Sequence, residues 1–173
     1  MGVNWLKYIP FFIIIVLLQV WVLNKIHLFG FATPLLYIYF IMKLPVDMNR
    51  NIVLLISVLL GFMIDFFGYS LGLNMLACTF LGFFRHYLLN VFAPRDMVGT
   101  TYAPSTKIFG MGLFMRYAGS LTLVHHTIFY IAESFSFLDP LSILIRVASS
   151  SVLTLLLVFG TEQINFELLK KIA

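Results

Sequence analysis

Apolar residues fall into six long runs separated by short polar intervals, and each run is of a length that reads as a membrane-crossing helix. The first, Tyr8 to Leu23, lies between Lys7 and the Asn24-Lys25 pair and lacks the small-residue cleavage pattern of a secretory leader, which predicts an uncleaved first helix. The second, Leu28 to Leu44, is short and carries Pro34 near its start, where a first-turn proline is tolerated. The third and fourth, Ile52 to Phe67 and Leu71 to Val91, are joined by a turn around Gly68 to Ser70, which predicts antiparallel neighbours. A polar interval from Ala93 to Lys107 precedes the fifth run, Gly110 to Phe135. Asp139-Pro140 then reads as an N-cap and first-turn proline opening the sixth, Leu141 to about Gly160. The remainder, Thr161 to Ala173, mixes polar and apolar residues like an interfacial extension of that helix.

Composition strengthens this reading. With 61% hydrophobic and 10% charged residues in 173 positions, the chain is far from the roughly 25% charged content of soluble domains. Its mean hydropathy is +1.01. The pattern predicts a single all-α integral membrane domain over residues 1–173, with any chemistry done by or between the helices. The net charge of +4 implies no nucleic-acid partner, because the basic residues fall singly between apolar runs and form no patch. A cytoplasmic N-terminus puts Lys7, Lys43, Arg50, Arg85, Arg95, Lys107, Arg116, Lys170 and Lys171 inside, whereas the reverse would export almost every positive charge. Six helices with both termini cytoplasmic follow. The single cysteine, Cys78, excludes an intramolecular disulfide and reads as a small packing residue.

Asp65 is the residue this pattern does not absorb, since an ionised carboxylate at mid-membrane costs roughly 2.5 to 3.5 kcal/mol on insertion scales. In the topology above Asp65, Asn74 and Glu133 lie near the outer ends of helices three, four and five. Arg146 lies about six residues, roughly 9 Å, into helix six. The four share one level of the bilayer. One expectation is that Arg146 neutralises Asp65, Glu133 or both inside the bundle. The other is that Arg146 reaches outward and Asp65 caps the turn at Gly68. Polar stripes at helical spacing are formed by Ser142, Arg146, Ser149 and Ser150, and by Asn74, Cys78, Gly82, His86 and Asn90.

His125-His126 cannot close on one ion from a single helix, because adjacent side chains point about 100° apart, and no H-x-x-x-H or cysteine partner accompanies them. His126 shares a face with Gly119, Tyr130 and Glu133, and a structural or interfacial role is expected. Ser149-Ser150-Ser151 lacks a G-x-S-x-G elbow, and no P-loop or H-E-x-x-H pattern occurs, so no metal, cofactor or catalytic group is expected. Gly68 and Gly72 form a G-x-x-x-G spacing across the predicted turn, which argues against a dimer seam there.

The order Gly61-Phe-Met-Ile-Asp65-Phe-Phe-Gly68 followed by Leu71-Gly72-Leu73-Asn74-Met75-Leu76-Ala77 resembles the central signature of the MreD family of bacterial rod-shape-determining membrane proteins. Similar stretches are Leu18-Gln19-Val20 through Asn24, His27 to Gly30, Pro34-Leu35-Leu36-Tyr37, Pro94-Arg95-Asp96 and His125-His126, so that the resemblance covers nearly the whole chain. It implies a non-enzymatic scaffold of the cell-wall elongation complex (elongasome) in the bacterial inner membrane, active in peptidoglycan synthesis and regulation of cell shape. The partners implied are the MreC transmembrane segment, MreB, and RodA with its class B penicillin-binding transpeptidase, together with membrane lipid; a homodimer stays open. The implied helix arrangement is similar to that of the substrate-binding subunits of energy-coupling-factor transporters. The competing expectation is such a small-molecule carrier, with Asp65, Asn74, Glu133 and Arg146 as its ligand site. Bulky Phe11 to Leu18 argues against it, because those carriers couple through small residues in helix one.

Overall fold

Helix boundaries follow local signals. Asn49 caps α3 (Arg50–Gly68), its side chain accepting from the Asn51 N–H at 2.9 Å. The helix ends where Tyr69 turns left-handed (φ 54°) and returns its N–H to the Asp65 carbonyl. Gly72, at φ 82°, opens α4 (Leu73–Phe92). Asp139 accepts from the Ser142 N–H at 3.1 Å and opens α6 (Pro140–Ile172) as the sequence suggests. The other elements are α1 (Tyr8–Trp21), a short α2 (Ile38–Met42), and α5 (Thr106–Ser134), which is broken by a non-helical Gly110 at φ 74°, ψ 159°.

These elements come from a computed structural model that describes residues 8–26, 32–70, 72–94, 101–134 and 139–172, without the side chains of 165–172. The expected start of the second run at Leu28, the Arg95-Asp96 loop, Lys7, and the side chains of Lys170 and Lys171 lie outside the described residues. Among the described residues the chain is all-helical with no strand. Four helices among the described residues, α1 with its following turn (Tyr8–Lys25), α3, α4 and α6 (to Ile164), are long and apolar enough to cross a membrane. The fifth, α5, is also long but carries Arg116, His125 and His126 and is not among the four.

Sequential helices pack side by side in the order α3, α4, α5, α6, and α1 lies against α3. Outward faces are apolar, as at Leu55 (69% exposed), Val91 (72%) and Leu156 (63%), which suits hydrocarbon as solvent. The α3–α4 seam is close. A Cβ on Gly61 would lie 2.4 Å from the Met75 Cα, and one on Gly82 would lie 2.4 Å from the Ser57 Oγ. Small residues here bring two backbones together, the device by which helices associate in lipid.

The second run departs from expectation. A helix over Leu28 to Leu44 with Pro34 in its first turn is not what forms: residues 32–37 are non-helical and only Ile38–Met42 winds into α2. Ala32 to Met42 is buried almost throughout, and α2 touches α1, α3, α4 and α5. The physical reason lies in the neighbours. Side chains of α1 and α6 offer acceptors at the spacing of an extended strand, so this backbone is satisfied without helical bonds.

Candidate functional site

Every backbone donor from Thr33 to Tyr37 finds a side-chain acceptor. Gln19 on α1 accepts from the Leu36 N–H at 2.9 Å and the Tyr37 N–H at 3.4 Å, and its amide donates to the Pro34 carbonyl at 2.9 Å and to Asn24 Oδ1 at 2.8 Å. From α6, Ser150 Oγ accepts from the Thr33 N–H and Thr154 Oγ1 from the Leu35 N–H, both at 3.1 Å. Proline at 34 has no N–H to satisfy, which is why it sits in this stretch without cost. Non-helical backbone at membrane depth survives only where protein surrounds it, and this frame supplies the surround.

The lower end of the segment is closed by a second group of polar residues. Tyr117 donates to the Met42 carbonyl at 3.3 Å, and Arg85, 2% exposed, donates to the carbonyls of Leu44 and of Pro45, the latter at 3.2 Å. Tyr117 thus meets the last carbonyl of α2, and the guanidinium holds the two carbonyls of the turn that follows the helix. Lys43 pairs with Glu162 of α6 at 3.1 Å, and Glu162 also accepts from the Tyr39 hydroxyl at 2.5 Å and the Thr106 N–H at 3.0 Å. One buried carboxylate thus ties the segment, α5 and α6 together.

Asp65 belongs to a third group. Its Oδ1 accepts from Ser70 Oγ (2.6 Å), the Asn74 N–H (3.1 Å) and Asn74 Nδ2 (2.8 Å), and its Oδ2 accepts from the Met75 N–H (2.8 Å). The carboxylate therefore sits over the first turn of α4, where unbonded N–H groups and the helix dipole both favour negative charge. Asn74 Oδ1 accepts from the Tyr37 hydroxyl at 2.6 Å, which lies 2.9 Å from His125 Nε2, so the capping group is joined to the segment and to α5. His126 holds the Thr122 carbonyl with Nδ1 at 2.8 Å, and its Nε2 lies 3.2 Å from Thr154 Oγ1.

Of the two expectations for Arg146, burial against Asp65 is corrected. Arg146 meets Glu133 at 3.2 Å with both side chains about two-fifths exposed (41% and 40%), and Asp65 is held by helix-end donors instead. Two separate pairs, Asp65 with Asn74 and Glu133 with Arg146, replace the expected four-residue level. The α4 stripe holds only for its N-terminal half: Asn74, Cys78 and Gly82 are buried, whereas His86 and Asn90 are exposed and Arg85 takes the buried position in the C-terminal half. Gly61 is set by close packing and Gly72 by its positive φ. Gly68 has only ordinary contacts, a Cβ there lying 3.5 Å from Asn24 Nδ2. His125 and His126 are both buried.

The pattern assigned no site role to Gln19, Tyr37, Lys43, Arg85, Thr154 or Glu162, although Gln19 and Tyr37 lie in the stretches that carry the resemblance and Lys43 and Arg85 were read as charges that set orientation. A signal exists for two of them, since Ser150, Thr154 and Glu162 recur at multiples of four along α6 and all are buried. Comparison of the chain with family models, with curated proteins and with solved structures finds no match.

Proposed function

We propose that the protein is a non-enzymatic membrane scaffold of the MreD type, crossing the bacterial inner membrane six times with both termini cytoplasmic. Residues 32–44 form the second crossing, and α5 the fifth. The observation that carries this reading is how the buried polar groups are used. Asp65, Asn74, Gln19, Thr154 and Glu162 are bonded to backbone and to one another, holding one unwound crossing rigidly inside the bundle. A carrier for a small molecule needs polar groups aimed at its ligand, and the expected set of Asp65, Asn74, Glu133 and Arg146 is split between a helix cap and an exposed ion pair. This weighs against the energy-coupling-factor carrier, although an arrangement of helices similar to that of its substrate-binding subunit remains part of the proposal.

The surface offered to a partner is an apolar groove of about 220 Å³, whose walls include Phe11, Ile14 and Leu18 of α1 and Ile164 of α6, with Leu36 and Tyr39 of the held segment at its floor. Its occupant on this reading is the single transmembrane helix of MreC, whose side chains would enter between α1 and α6 as ridges into a groove. The positive inner loops then face MreB or anionic lipid, and RodA with its transpeptidase joins through that complex. Copurification of MreC with the full chain in mild detergent tests this. Wild-type protein is expected to recover MreC, and Ile14→Trp, which fills the groove, is expected to lose it while retaining its helical circular dichroism. Failure of the wild type to recover MreC, or equal recovery by the variant, overturns the proposal.

A further inference from the structure

Where α5 ends and α6 begins, a cleft of about 210 Å³ is lined by Tyr130, Glu133, Ser134, Asp139, Ser142 and Arg146, apart from the groove above. Two carboxylates and one guanidinium meet in it. Glu133 engages Arg146 through a single nitrogen at 3.2 Å, and Asp139 uses Oδ1 to cap α6. The guanidinium is two-fifths exposed, and an arginine presents five N–H donors. Donors therefore remain for an anion, while the second carboxylate leaves the cleft one negative charge beyond balance.

The charges are also ordered by depth. Asp139 stands at the start of α6 and Arg146 seven positions further in, about 10 Å along the axis at helical rise. The site thus offers its cation, with Glu133 beside it, from the membrane side and the Asp139 carboxylate from the outer side. Beside it, α6 presents Leu144 (64% exposed) and Ile145, and further along than Arg146 it presents Val152 (59%) and Leu156 (63%). An occupant that suits this arrangement has hydrocarbon, then an anionic group, then a protonated amine.

We propose that the cleft between the outer ends of α5 and α6 binds the phosphoethanolamine headgroup of a membrane lipid. The phosphate accepts from Arg146, and the ammonium donates to Glu133 and Asp139. The acyl chains run along the exposed apolar face of α6 past Val152 and Leu156. A quaternary choline lacks the N–H donors, and a glycerol headgroup lacks the cation, so the site discriminates among lipids that share a phosphate and chains.

The test uses the full chain, delipidated in non-ionic detergent and offered phosphatidylethanolamine, phosphatidylcholine or phosphatidylglycerol of identical chains, with bound lipid read by native mass spectrometry. Phosphatidylethanolamine is expected to be retained at least about tenfold better than the other two, the low end for a charge-assisted hydrogen bond. Glu133→Gln and Asp139→Asn are expected to erase its advantage over phosphatidylglycerol. Asparagine caps a helix as well as aspartate does, so α6 is preserved in the second variant. Arg146→Gln is expected to weaken phosphatidylethanolamine and phosphatidylglycerol alike. Soluble phosphoethanolamine is expected to displace the lipid only weakly, and its binding as tightly as the lipid would identify a soluble ligand and overturn the lipid assignment. Equal retention of all three lipids, or variants that keep their helical circular dichroism and bind as the parent does, also overturns it.

Discussion

Replacing Gln19 by leucine keeps side-chain volume close and removes the hydrogen-bonding amide that holds the unwound segment 32–37. Four partners lose their bonds: the Leu36 N–H and the Pro34 carbonyl, each at 2.9 Å, the Tyr37 N–H, more weakly at 3.4 Å, and Asn24 Oδ1 at 2.8 Å. Asn24 is only part-buried and turns to water or another donor, whereas the backbone groups are buried, and a buried polar group without a partner costs about 1–3 kcal/mol. The two strong backbone losses together reach at most about 6 kcal/mol. Burying leucine offsets about 1–2 kcal/mol of that, and polar groups in a membrane-unfolded chain find substitute partners that reduce the difference further. The expected cost is about 2–4 kcal/mol. Unfolding in mixed micelles with increasing dodecyl sulfate, followed by circular dichroism, measures it. Leu18→Ala, on the outward side of the same helix, is the control and is expected to cost under about 1 kcal/mol, since its site is already partly exposed. A Gln19→Leu midpoint equal to wild type, or shifted toward stability, would refute the argument, for it would mean that segment 32–37 does not depend on α1 for its backbone bonds.

Other outcomes follow from the same geometry. Asp65→Ala removes the acceptor of the Asn74 and Met75 N–H groups and is expected to lower stability by about 2–3 kcal/mol, with Asp65→Asn costing about half as much, because one oxygen still accepts; thermal unfolding in detergent separates them. Gly61→Ala pushes a methyl into the Met75 backbone and is expected to cost about 1–3 kcal/mol by the same measurement. Glu162→Leu strands Lys43 and is expected to cost about 3–5 kcal/mol, whereas Lys43→Met with Glu162→Leu recovers the share owed to the lysine charge but not that of the Tyr39 hydroxyl and the Thr106 N–H; a double-mutant cycle showing simple additivity would contradict the pairing. Glu133→Gln, at an exposed pair, is expected to change stability by less than about 1 kcal/mol.

The apolar runs by themselves determined the long helices, because chain length and hydropathy are local properties and a helix satisfies its own backbone. They also located the Tyr69 turn and the Asp139 cap, where each signal and its consequence lie within a few residues. The form of the second run was decided elsewhere. Residues 32–44 are as apolar as a helix and hold a proline in a tolerated place, yet they stay partly unwound, because acceptors arrive from Gln19, Ser150 and Thr154, up to 119 positions away. Asp65 shows the same division. Its burial was legible as an anomaly, but whether Arg146 or the start of α4 would neutralise it depended on how far apart the helix ends stand. That distance is set by packing at Gly61 and Gly82, and no periodicity along one chain records it.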